Sequence, residues 1–186
     1  MRQIAQRMPE LREIWVIARR EDRLLELREE CPAAVRPLAM DLAEEDSIRA
    51  LEELLRRERP VVAVLVNAAG FGKIGDCRTV TRQDCDAMIN LNCRAAVDVT
   101  MACLPYMQRK GRILEICSTA AFQPFQHLNV YAASKAFLYR YSRALWTELF
   151  GQGITVTAVC PYWIKDTEFI PTAKQTDTGS SIRHFP

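Results

Sequence analysis

Short aliphatic, β-branched runs alternate along this chain with longer amphipathic stretches, and that alternation most limits the fold. The runs are Ile14–Ala18, Val35–Met40, Val61–Val66, Ile113–Cys117 and Ile154–Val159. Between them lie segments of helical periodicity: Glu21–Glu30, Glu44–Glu58, a long stretch from about Arg82 to Arg109, and Val130–Phe150. Runs of this kind are bounded by turns and buried on both sides, so they suit parallel strands better than half-solvated antiparallel ones. Strand and helix in strict turn predict an α/β architecture, a mostly parallel sheet with helices on both faces and right-handed crossovers.

Tyr131 and Lys135 share a face near the start of the last predicted helix, in Asn129-Val130-Tyr131-Ala132-Ala133-Ser134-Lys135. A cation beside a phenol favours the phenolate, so the spacing predicts a tyrosine with a lowered pKa. Bringing it from about 10 to neutrality takes roughly 4 kcal/mol. Such a tyrosine can give or take a proton at working pH, as carbonyl reduction and alcohol oxidation require. Read blandly, the pair is a core-edge tyrosine with a lysine snorkelling beside it. Ser118 adds to the functional reading by ending the run Ile113–Cys117 thirteen positions before the tyrosine.

At these residues the chain resembles the classical short-chain dehydrogenase/reductase family. The matches are Asn67-Ala68-Ala69-Gly70 after the third run, Asn92 in Ile89-Asn90-Leu91-Asn92-Cys93, Ser118, Tyr131-x-x-x-Lys135, and Pro161 after the last run. They occur in the family's order and span most of the chain. The resemblance implies a Rossmann-like, doubly wound fold and an oxidoreductase that interconverts a small carbonyl compound and an alcohol with a nicotinamide cofactor. Tyr131 would transfer the proton and Lys135 would tune it and hold the nicotinamide ribose. Ser118 would position the substrate oxygen, with Thr119 its close competitor. Asn92 would continue a proton relay from Lys135, with Asn90 the rival register.

Cofactor contacts follow from the same resemblance. Arg19 and Arg20 end the run that reads the adenine ribose; two arginines with no acid before Glu21 suit the 2′-phosphate of NADP better than the hydroxyl of NAD. Asp41 and Leu42 match an adenine-contacting position, though Asp41 would serve equally as the cap of the next helix. Asn67, Ala68, Ala69 and Gly70 would line the cofactor and steady the central sheet, or simply form a tight turn. Pro161, Ile164 and Thr167 would meet the carboxamide, although Tyr162 stands where the family usually has glycine.

Two departures from the pattern bear on activity. The first glycine is Gly70, whereas this kind of fold opens on a strand and a glycine-rich turn that cradles the pyrophosphate. Residues Arg2 to Leu11 read as the last turns of the first helix, so the first strand of the family is lacking. Its loss would leave unpaired strand edges in the core or force their neighbours to close up. Residues 162–186 read as the remnant of a substrate lid, so residues 1–186 would be one incomplete NAD(P)-binding domain. The alternative function is a non-catalytic fragment, unable to bind cofactor and associating through its long helices.

Composition narrows the remaining classes. A formal net charge of +2, with basic residues interleaved among acids, gives no nucleic-acid footprint. Seven cysteines without a C-x-x-C pair, and two histidines, predict buried thiols in a reducing compartment and no metal site. No signal peptide or membrane-length apolar stretch is visible, so the cytoplasm is the expected location. The apolar tract Val97–Met107, with Leu138, Ala144, Leu145 and Leu149, suits the homodimer or homotetramer that the family implies.

Overall fold

The computed structural model describes residues 2–31, 34–162, 164 and 173. A short helix α1 (Arg2–Arg7) leads into strand β1 (Ile14–Ala18), helix α2 (Glu21–Glu30) and strand β2 (Val35–Ala39). Helix α3 (Glu45–Glu58) crosses to strand β3 (Val62–Asn67). Its burial of Ile48, Leu51, Leu54 and Leu55 follows the i, i+3, i+7 stripe written in the sequence. Arg59 ends it in the left-handed region, φ 45°, with its N–H on the Leu55 carbonyl at 2.8 Å.

The stretch expected as one helix over residues 82–109 is not continuous. It divides into α4 (Arg82–Ile89), a π-turn over Asn90–Arg94, α5 (Ala95–Cys103) and a 3₁₀ turn over Leu104–Tyr106. Pro105 lies in the first turn of that 3₁₀ segment, and having no N–H it cannot continue the α-helical ladder. Strand β4 (Met107–Ile116) therefore starts six residues before the expected run. It takes up Lys110 at φ 72° and continues through Gly111. Helix α6 (Asn129–Leu149) and strand β5 (Thr155–Val159) fall close to their expected positions.

All strand pairing is parallel, as the alternation requires, but it forms two sheets. One pairs β1 with β2 in the register Ile14↔Val35 through Ala18↔Ala39. Pro37 sits within β2, which is tolerated because β2 is an edge strand. The other has the order β3-β4-β5, with Asn67↔Glu115 and Ile116↔Val159 among its matched residues. Helices cover both faces of this layered arrangement. Ile14 and Val16 meet Ala5 of α1 and Cys31 after α2, whereas Trp15 and Ile17 meet Ile48, Leu51 and Leu55 of α3. The same α3 cluster includes Val99, Ala102 and Cys103 of α5, and Leu145 and Leu149 of α6 pack on Ile113 and Val156.

The edges of β1 and β3 stay apart. A cleft of ≈ 390 Å³ lies between Ile14–Ile17 on one side and Val62–Asn67 on the other. The α3–α5 cluster touches Trp15, Ile17, Val62 and Leu65 together.

Candidate active site

Ser118, Tyr131 and Lys135 come together beyond the carboxyl ends of β3, β4 and β5. Ser118 directly follows Cys117 at the end of β4, and its Oγ accepts from the Ala120 N–H at 3.1 Å, which fixes a 3₁₀ turn over Thr119–Ala121. Tyr131 and Lys135 occupy the first two turns of α6, both buried. The Ser118 hydroxyl lies close enough to the Tyr131 phenol to favour its ionised form. Lys135 Nζ donates to the Ile116 carbonyl at 2.8 Å and stands 5.9 Å from the centroid of the Tyr131 ring. Thr119 lines the same crevice, but it is Ser118 that acts on the phenol's ionisation.

The expected fall in the tyrosine's pKa is overturned. Burial raises the Tyr131 phenol above its ordinary value, and the nearby Ser118 hydroxyl opposes the rise. Lys135 is itself lowered by burial, against the pull of Cys117, Cys93 and Glu115. Desolvation is the largest influence on each group. The phenol is therefore held protonated at neutral pH, in the state that can donate.

Asn92 sits on the π-turn and is buried, 1% exposed. Its Nδ2 donates to the Phe71 carbonyl at 2.8 Å and to Ser134 Oγ at 3.0 Å, and its Oδ1 accepts from the Phe71 N–H at 3.0 Å. Ser134 Oγ in turn donates to the Tyr131 carbonyl at 2.7 Å. Asn92 thus ties the segment after Gly70 to the first turn of α6. A Cβ at Gly70 would stand 2.9 Å from Asn92 Oδ1 and 3.4 Å from Lys135 Nζ, so only glycine fits beside both groups. Asn90, at the start of the π-turn, takes no part in this network.

The remaining expected residues divide. Ala68, Gly70, Pro161 and Ile164 line a crevice of ≈ 280 Å³ together with Ser118, Tyr131 and Lys135. Asn67 and Ala69 instead line the cleft between the sheets. Asn67 Nδ2 donates to Glu115 Oε1 and Thr100 Oγ1, both at 2.8 Å, so it steadies β3 against β4 and α5. Leu42 packs on the α3–α5 cluster and lines the same cleft. Asp41 does not cap the next helix, whose N-cap is Glu44; its Oδ1 accepts from the Ala43 N–H at 3.0 Å in the turn before it, and its Oδ2 faces Arg19 Nη1 at 3.7 Å. Arg19 and Arg20 are exposed at the end of β1. Thr167 and most of residues 162–186 lie outside the described residues.

Glu115 escaped the sequence reading. It is wholly buried, and burial raises its carboxyl to about 7 despite the bonds from Asn67 and Thr100. Its signal was its place in the run Ile113–Cys117, where period 2 puts it on the inward face between Ile113 and Cys117. Among the described residues no cluster of His, Cys, Asp and Glu could hold a metal, and no helix is long and apolar enough to cross a membrane.

The nicotinamide end of a dinucleotide fits this crevice. The site lies outside the carboxyl ends of parallel strands, where open α/β sheets bind ligands. A bare glycine backbone borders it. Lys135 Nζ has one acceptor among the described residues, which leaves two of its three N–H groups for ribose hydroxyls.

The family profile described as short chain dehydrogenase matches residues 2–178. The NADP-dependent 3-hydroxy acid dehydrogenase YdfG of Escherichia coli (strain K12) is 32% identical over 170 residues, covering 90% of this chain and 68% of that protein. The 3-oxoacyl-[acyl-carrier-protein] reductase FabG of Thermotoga maritima is 32% identical over 165 residues, 87% of this chain and 67% of that one. A short-chain dehydrogenase from Sphingobium yanoikuyae, solved in complex with NADPH, superposes with a TM-score of 0.79 at 29% identity, over 92% of this chain and 68% of that one.

Proposed function

Because the chain belongs to the short-chain dehydrogenase family, we propose that it is an NADP(H)-dependent oxidoreductase interconverting a small carbonyl compound and its alcohol. The observation that carries this reading is the meeting of Ser118, Tyr131 and Lys135 beside Gly70 in one crevice. When bound, the cofactor supplies or takes up the hydride. Ser118 holds the substrate oxygen and aligns the phenol. Tyr131, kept protonated by burial, gives its proton to that oxygen during reduction. Lys135 steadies the developing phenolate through its ammonium and holds the nicotinamide ribose. Asn92 fixes the geometry by pinning Phe71 to α6. The described walls of the crevice are largely apolar, with Phe125, Leu128, Tyr162 and Ile164 among them, so the substrate carries an apolar substituent next to its carbonyl.

The use of NADP rests on Arg19 and Arg20 at the end of β1 and on the NADP named for YdfG and the Sphingobium enzyme. Exposed Met101, Phe137 and Phe150 on or beside α5 and α6 support a homo-oligomer. The second reading, a chain that does not bind cofactor, is favoured by the open cleft between β1 and β3. Titration with NADPH, followed by its fluorescence, separates the two. Saturable micromolar binding supports the enzyme, and no saturable binding overturns it.

A further inference from the structure

Cys117 directly follows β4 and Cys160 directly follows β5, and the parallel ladder runs on past both strand ends. The Cys117 N–H donates to the Val159 carbonyl at 2.8 Å and the Thr119 N–H to that of Pro161 at 3.1 Å. These two bonds flank Cys117 and Cys160, the matched pair next after Ile116↔Val159. Matched residues of parallel strands point to one face. Accordingly both side chains pack in one cluster with Ala96, Leu138 and Tyr141. Neighbouring strands lie about 4.8 Å apart, within the Cα separation of roughly 4.4–6.8 Å that a disulfide spans. Other thiols in this half of the chain are engaged elsewhere. Cys93 donates to the Ser134 carbonyl at 3.7 Å, and Cys103 is packed against α3.

We propose that Cys117 and Cys160 are a modification site, forming a reversible disulfide at the floor of the crevice by exchange with a small-molecule disulfide such as oxidised glutathione. Cys160 is partly exposed and Cys117 buried, so Cys160 meets the oxidant first. Its thiolate attacks one sulfur of oxidised glutathione and expels one glutathione thiolate. Cys117, once deprotonated, displaces the second. Two S–H bonds are lost and one S–S bond forms. Two electrons and two protons leave with the oxidant, which departs as two reduced glutathione molecules.

The bridge adjoins Ser118 and the carbonyl that anchors Lys135. Cys117 precedes Ser118 and lines the crevice, the Ile116 carbonyl before it holds Lys135, and Cys160 precedes Pro161 and Tyr162. Drawing the two strand ends together shifts Ser118 relative to Tyr131. The bridge itself depends on the register of β4 and β5 and not on which reaction the site performs.

The test is oxidation of the folded chain with excess oxidised glutathione, alkylation of the remaining thiols, proteolysis and mass spectrometry. The expected product is a cross-linked peptide pair carrying Cys117 and Cys160. It disappears on treatment with dithiothreitol and is absent from Cys160→Ser. Recovery of both cysteines in alkylated form, a glutathione adduct on Cys160 without the cross-link, or linkage of either to Cys93 would each overturn the proposal. Equal yield of the same cross-link from chain oxidised in guanidinium would also overturn it, since pairing would then owe nothing to the fold.

Discussion

The two sheets bury different things. The β1–β2 sheet and its helices bury only apolar side chains and cysteine among the described residues: Ala5, Leu24, Cys31, Val35 and the α3 leucines. Every buried polar or charged side chain described, namely Asn67, Asn92, Thr100, Glu115, Ser134, Lys135 and Ser142, belongs to the β3–β5 sheet or to the helices between its strands. Desolvating a polar group costs stability unless it is bonded, and such costs gather where a site must hold groups in fixed positions. The three-stranded sheet is thus the chemical half. The two-stranded sheet presents exposed Arg19 and Arg20 and is joined to the chemical half through helix packing, across an open cleft.

Substitutions on the two sheets should therefore differ in kind. Lys135→Met should lower turnover by roughly a hundredfold or more, measured as NADPH consumption, with a far-UV spectrum like that of the unmodified chain. An equal loss of turnover from Arg19→Ala would break the contrast between the sheets.

Glu115 should make stability depend on pH. Its carboxyl is raised from 4.5 to about 7 in the folded chain. Between those values the folded state binds more protons than the unfolded one. Stability is then full below pH 4.5 and falls as pH rises through about 7, by up to about 3 kcal/mol. Denaturant midpoints across that range should show the slope, and Glu115→Gln should flatten it. A flat profile for the unmodified chain would remove the polar burial from this account.

Gly70→Ala should cost about 1–3 kcal/mol, because the new methyl meets Asn92 Oδ1 at 2.9 Å and Asn92 is bonded on both sides. Thermal unfolding reads this, and an unchanged midpoint would mean that Asn92 yields. The smallest expected effect belongs to the other sheet. Arg19→Ala removes a 3.7 Å ion pair with Asp41 whose arginine is 71% exposed. Stability should move by no more than about 0.5 kcal/mol, while affinity for NADPH should fall about tenfold relative to NADH. Parallel titrations with the two cofactors decide this, and an unchanged ratio would remove Arg19 from cofactor choice.

Much of this was legible in the sequence, for definable reasons. Strands β1, β2, β3 and β5 appeared as aliphatic runs because each is bounded by charged or turn residues. Tyr131 and Lys135 were legible because helical spacing alone puts them on one face. The break at Asn90–Arg94 was not legible, since a π-turn leaves the composition of a helix unchanged while altering which side chain faces inward. The early start of β4 was hidden by the charged residues Arg109, Lys110 and Arg112. The direction of the Tyr131 shift was misjudged because a neighbouring charge is visible in a sequence and the depth of burial is not. Asn67 was expected to line a cofactor and to steady the central sheet; the partner through which it steadies the sheet, Glu115, is fixed by the register of β3 on β4, which no single strand reveals.

The central claim is that the Tyr131 phenol hands its proton to a carbonyl oxygen in the crevice. The most direct measurement is single-turnover reduction of a ketone with saturating NADPH, comparing the unmodified chain with Tyr131→Phe. The account predicts hydride transfer by the unmodified chain and a loss of at least about a hundredfold in Tyr131→Phe, with NADPH binding retained. Turnover in Tyr131→Phe within a few-fold of the unmodified chain would contradict it.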